Sequence, residues 1–99
     1  MVGLEILFKI YPAKRAEFLL AFDMMKTVEQ LEKNRTDLEL FELVGESNTF
    51  LWLEYWDNGE SLTHYCNENK YRALMGAIDI LGNLIHKRTL SIAEETTNE

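Results

Sequence analysis

Trp52, Glu54 and Trp56 alternate along TFLWLEYW, residues 49–56, so an extended chain puts all three on one face together with Phe50. A carboxylate buried between two indoles loses hydration, its pKa rises, and it can then act as a base near neutrality. At an exposed rim the same carboxylate would be an ordinary ion-pair partner. Downstream, His64, Tyr65, Tyr71 and Met75 lie in DNGESLTHYCNENKYRALM. The Trp and Tyr side chains join large apolar surfaces to N–H or O–H groups that can orient a bound molecule; they can equally fill the space between a sheet and its helices. Histidine is the side chain type that most readily exchanges a proton near neutrality, so His64 or His86 could take one up if it faced a cavity, whereas on a solvated helix or connector it would do nothing. Two His without clustered Cys or carboxylates make no metal site, and the chain has no Gly-rich phosphate loop and no Gly-x-Ser-x-Gly elbow.

These residues need a scaffold, and the hydrophobic pattern supplies one. Gly3 to Tyr11 alternates Leu4, Ile6, Phe8 and Ile10 against Glu5, Leu7, Lys9 and Tyr11, and Pro12 then stops the strand and can open a helix. From Ala13 to about Lys33 the residues Phe18, Ala21, Phe22, Met25, Val28 and Leu31 keep helical spacing, a stripe that reads as core before it reads as a ligand wall. Asn34 to Asp37 forms a polar break before a second strand at Leu38 to Val44. Gly45 to Asn48 makes a hairpin turn into the third strand, Thr49 to Trp56. Asp57, with Glu60 three residues on, is placed to cap a helix that a polar interruption at Asn67 to Asn69 kinks or divides. Gly82 and Asn83 are expected to end that helical stretch, with Leu84 and Ile85 bridging to a fourth strand from Arg88 to Ala93. Residues 1–93 then form one domain and 94–99 a mobile polar tail.

Composition narrows the class. Ninety-nine residues with 46% hydrophobic content suffice for one core. A formal charge of −7 argues against nucleic acid and anionic membranes as partners, because Lys and Arg drive those contacts. Cys66 is the sole cysteine, on an apolar stripe, which excludes an internal disulfide and fits a reducing, cytoplasmic setting. The apolar N-terminal run carries Glu5 and Lys9, unlike a signal peptide or membrane span.

The order β, α, β, β, α, β predicts an α+β, ferredoxin-like unit, a four-stranded antiparallel sheet with both helices on one face. Several strands are apolar on both sides. Strands of ~6 residues give a sheet of about 400 Å², large enough for its uncovered face to mark an interface. A second copy is the simplest cover, so the sequence predicts a homodimer in which two sheets close a two-chain barrel over roughly 800 Å² or more per subunit.

The runs FLWLEYW, DNGESLTHY and KYRALM resemble the antibiotic biosynthesis monooxygenase domain of the dimeric α/β-barrel superfamily. In that family the third strand ends in Glu, any residue, Trp and leads into a helix with an acidic, small, Leu pattern. The resemblance runs from Leu4 to about Ala93, with Glu54, Trp56 and Leu62 on those positions and Tyr71 on the aromatic that opens the last helix. Three departures stand out. The family's usual His falls on Tyr65, while His64 lies one residue earlier, about 100° round the helix and toward its surface. A Gly before the second strand is replaced by Asn34 to Asp37, and the iron-ligating His of haem-degrading relatives falls on Met75, which disfavours haem chemistry. The resemblance implies oxygenation without flavin, metal or haem. An electron-rich phenol or quinol loses a proton and its anion reduces O2 in a dry pocket; Trp56, Tyr65, Glu54 and His64 are the candidate catalytic residues and Trp52, Tyr71 and Met75 the candidate substrate contacts. The rival reading is a non-catalytic dimeric module, structural or binding a small apolar ligand, which a helical layer with no cavity beyond about 300 Å³ would favour.

Overall fold

The computed structural model describes residues 1–28 and 33–92. Strand β1 (Val2–Ile10) leads through a 3-10 turn, Pro12–Lys14, into helix α1 (Arg15–Val28). Strands β2 (Arg35–Glu42) and β3 (Thr49–Trp56) form the hairpin, helices α2 (Gly59–Cys66) and α3 (Asn69–Leu81) follow, and strand β4 (Gly82–Ser91) closes the sheet. All pairings are antiparallel in the order β2-β3-β1-β4, so the chain has the expected ferredoxin-like α+β fold.

The period-two pattern of β1 and β3 decides where the core lies. Leu4, Ile6, Phe8 and Ile10 are at most 1% exposed and sit beside Phe50 and Trp52 under the helices. Phe18 of α1 meets Phe8 edge-on at 5.3 Å and Phe50 at 5.1 Å. Leu62, Tyr65, Tyr71, Leu74, Ile78 and Leu81 bring α2 and α3 onto the same cluster. Arg15 pins the start of α1 to the end of β2, with Nη2 donating to Glu42 Oε1 at 2.7 Å and its guanidinium 5.5 Å from the Phe50 ring centroid.

On the opposite face the register aligns three rows across the sheet, each written from β2 to β4. They are Asp37, Tyr55, Gly3, Leu90; then Glu39, Leu53, Glu5, Arg88; then Phe41, Leu51, Leu7, His86. Leu7, Leu51, Leu53 and Tyr55 are only half-buried there, and Phe41 is exposed.

Several boundaries depart from the sequence reading. The second strand begins at Arg35 and ends at Glu42, because Leu43 and Val44 belong to the hairpin connection, which turns through Gly45 at φ 84° and Asn48 at φ 67°. Asn34, at φ 69°, takes a left-handed position before β2, which Asn tolerates better than most side chains. Asn58, not Asp57, caps α2, its Oδ1 accepting from Ser61 N at 2.8 Å. The polar interruption does divide the helix, with Asn67 and Glu68 between α2 and α3.

The largest correction is at β4, which starts directly at Gly82 instead of Arg88. Gly82 ends α3 and pairs with Ile10 in one step, and a Cβ there would stand 1.8 Å from the Lys9 carbonyl oxygen. Only glycine permits that approach. A bulge opposite Leu7 and Phe8 then absorbs Ile85. The expected continuations of the first helix to Lys33 and of the last strand to Ala93, and the polar tail, involve residues outside those described.

Candidate functional site

Glu54 is wholly buried at the end of β3 that meets α2. Four donors converge on it. Trp52 Nε1 donates to Oε2 at 2.8 Å, Trp56 Nε1 to Oε1 at 3.1 Å, and the Tyr65 hydroxyl to Oε2 at 3.2 Å. Arg35 Nη1 lies 3.5 Å from Oε1, its side chain only 4% exposed. The geometry follows from the sequence: residues i−2 and i+2 on one strand face flank the carboxylate with their indoles, α2 lays Tyr65 across the top, and β2 runs antiparallel so that Arg35 pairs with Trp56. Burial pushes the Glu54 pKa up, and the donors from Trp52, Arg35, Trp56 and Tyr65 oppose that rise.

The rings around this carboxylate fall into two groups that Glu54 joins. Trp56 and Tyr65 lie 4.8 Å apart between centroids, Tyr65 and Tyr71 5.7 Å, and Phe22 meets Trp52 edge-on at 5.3 Å. Two cavities border it. Between α1 and α3 lies an apolar one of about 270 Å³, lined by Phe18, Phe22, Met25, Trp52, Leu74 and Ile78, with Lys70 also on its wall. Beside α2 lies a polar cleft of about 610 Å³ bordered by Lys33, Asn34, Trp56, Asn58, His64 and Tyr65. Glu54 thus ties Trp52, on the wall of the first, to Trp56 and Tyr65, on the wall of the second.

The candidate residues divide accordingly. Trp52, Glu54, Trp56 and Tyr65 come together in one hydrogen-bonded group. His64 stands apart, its side chain 81% exposed at the rim of the polar cleft and 3.3 Å from Glu68 Oε1. Tyr71 is buried behind Tyr65, its hydroxyl without a hydrogen bond among the described residues and its ring 5.1 Å from Lys87 Nζ. Met75 packs half-buried against the core and borders neither cavity. Cys66 is half-buried, and burial raises its thiol pKa, as suits packing more than reactivity. Among the described residues no group of three or more His, Cys, Asp or Glu could hold a metal ion.

Arg35 was hidden in the sequence inside an apparently polar break; its only signal is that an extended break would place it across from Trp56. Phe18, Phe22 and Met25 were visible as a helical stripe, but nothing in their spacing separates a cavity wall from a solid core.

Residues 1–77 match the profile of the antibiotic biosynthesis monooxygenase family, and the chain belongs to that family. Among individual relatives, it is 35% identical over 71 residues to "Putative monooxygenase YcnE" of Bacillus subtilis (strain 168), covering 72% of this chain and 74% of that one. Its fold is similar to that of a "putative antibiotic biosynthesis monooxygenase" from Deinococcus radiodurans (TM-score 0.79, 17% identity, 100% of this chain and 98% of that one). It is also similar to that of SnoaB, a cofactor-independent oxygenase from Streptomyces nogalater (TM-score 0.77, 15% identity, 99% and 97%). No helix among the described residues is long and apolar enough to cross a membrane.

Proposed function

We propose that this protein is a cofactor-independent monooxygenase that uses O2 to oxidise a small hydrophobic aromatic or quinol-type molecule, and that it works as a homodimer. The observation that carries the reading is the shared carboxylate. An apolar cavity suited to an aromatic ring has Trp52 in its wall, and the same Glu54 that fixes Trp52 fixes Trp56 and Tyr65 at the polar cleft. The substrate gives up a proton and its anion reduces O2; one oxygen atom stays on the substrate and the other leaves as water, all electrons coming from the substrate. Trp52 holds the ring in the apolar cavity, and Tyr65, fixed with Trp56 on the same carboxylate, can pass a proton to Glu54, whose burial favours its acceptance. Dimerisation is supported by the sheet face bearing Leu7, Leu51, Leu53, Tyr55 and Phe41, which lies opposite the helices.

The test is oxygen consumption with a panel of naphthols and hydroquinones, run beside thermal shift. Protein-dependent uptake with a rise in Tm is the expected result. A second reading has its own support: the apolar cavity, at about 270 Å³, falls just short of the roughly 300 Å³ at which ligand sites usually begin. A Tm rise without oxygen uptake would establish a binding module, and neither response would leave a dimeric building block.

A further inference from the structure

Among the described residues, the apolar cavity between α1 and α3 has one charged residue in its wall, Lys70. Along α3 the lining residues Lys70, Ala73, Leu74, Ala77, Ile78 and Leu81 recur at helical spacing, so Lys70 takes the first position of a stripe that is otherwise apolar. Lys70 and Leu81 are roughly 16 Å apart along the helix axis, which puts Lys70 at one end of the cavity wall. The other side-chain N–H there belongs to Trp52, and it is committed to Glu54 at 2.8 Å. Lys70 already interacts within the chain, but its ammonium has several N–H donors on a flexible stem, so a ligand oxygen can share it. The positive end of the α3 dipole adds to that charge: the first turn carries no acid, and Glu68 at the N-cap makes no side-chain capping bond, its Oε1 lying 3.3 Å from His64 Nε2 instead.

We infer that the molecule taken into this cavity is a hydrophobic monoanion, with an aromatic body between α1 and α3 and a terminal carboxylate against Lys70. This rests on the reading of the cavity as the substrate site and narrows the substrate class. A cationic ligand is repelled by Lys70, and a ligand with several polar groups would bury them unpaired against Phe, Leu and Ile. A single charged end at the Lys70 side avoids both costs, because Lys70 is exposed and the carboxylate keeps part of its hydration there. The chain as a whole carries −7, so its overall field opposes an anion and the attraction is supplied locally.

The experiment is calorimetric titration of 2-naphthoate and its neutral counterpart 2-naphthamide into the wild-type protein, Lys70→Met, Lys70→Glu and Lys70→Arg. Neither probe has a phenolic hydroxyl, so binding is read whether or not the protein oxidises anything. The wild type should bind 2-naphthoate roughly five-fold tighter than 2-naphthamide, and the preference should shrink as salt is raised. Lys70→Arg should keep the preference, Lys70→Met should bind both probes equally, and Lys70→Glu should favour the amide. Lys70 is exposed, so the variants are expected to fold, which far-ultraviolet circular dichroism verifies. A wild type that does not prefer 2-naphthoate, or a preference that survives in Lys70→Met, overturns the inference. A wild type that binds neither probe overturns it together with the cavity's role as the substrate site. Oxygen uptake with naphthols separates the two readings: the naphthoate preference without uptake keeps the anion site and defeats the oxygenase, and uptake without the preference does the reverse.

Discussion

Trp52 Nε1 donates to Glu54 Oε2 at 2.8 Å, and the two residues are separated by a single position on one strand face. Both are essentially shielded from water, so this bond has no solvent substitute. Glu54→Gln keeps the shape but turns an amide NH2 toward groups that are themselves donors, and it removes the ion pair between Glu54 and the buried Arg35. We expect a loss of roughly 3 kcal/mol in chemical denaturation, with altered near-ultraviolet circular dichroism from the indoles. A variant as stable as the parent would mean that the carboxylate does not organise these rings.

Trp56→Phe removes one donor to Glu54 and part of the cleft wall while keeping an aromatic ring. The expected cost is about 1–2 kcal/mol in stability, with the dimer intact and turnover down at least ~10-fold. The reverse pattern, a failing dimer and normal turnover, would mark Trp56 as a packing residue.

Acid stability should depend on Glu42. Arg15, and after it the Asn48 backbone N–H, hold its pKa at about 2 against an ordinary 4.5. A lowered folded-state pKa contributes stability that is in place above pH 4.5 and is lost as the pH falls toward 2. Glu54 has the opposite sign: its pKa is raised from 4.5, so its contribution is complete below 4.5 and fades as the pH rises through the raised value. Urea midpoints as a function of pH should therefore show a flatter acid limb for Glu42→Gln and no such flattening for Glu54→Gln.

Two glycines should respond in opposite ways to alanine. Gly82→Ala drives a methyl group to 1.8 Å from the Lys9 oxygen and 2.8 Å from Ile10 Cα, and parting β1 from β4 there should cost about 3 kcal/mol or more. Gly76 lies inside α3, and a methyl group added there would meet nothing within 4 Å, so Gly76→Ala should gain roughly 0.5–1 kcal/mol. Thermal denaturation of the pair checks both.

Filling the apolar cavity separates binding from folding. Ala77→Leu, from α3, should keep or raise Tm while abolishing the thermal shift given by naphthol-type compounds. An unchanged ligand shift would place the binding site elsewhere, with the polar cleft beside Trp56 next to be probed.

Local chemistry determined much of this protein before any coordinates. Alternation in TFLWLEYW gave β3 its limits and put Trp52, Glu54 and Trp56 together, because side-chain direction in a strand is fixed by position parity alone. The number and order of the strands were legible for the same reason, and the polar interruption at Asn67 to Asn69 marked where the second helical stretch kinks or divides. Tertiary structure decided the rest. It brought Arg35 from an apparently polar break to Glu54, a pairing set by the β2–β3 register, whereas the exposed position of His64 had followed already from its place off the apolar stripe of α2. It also started β4 at Gly82, where close approach of two backbones outweighed the turn propensity of Gly-Asn. Whether a stripe of Phe and Met encloses a cavity depends on how far two helices stand apart, a distance no single segment encodes.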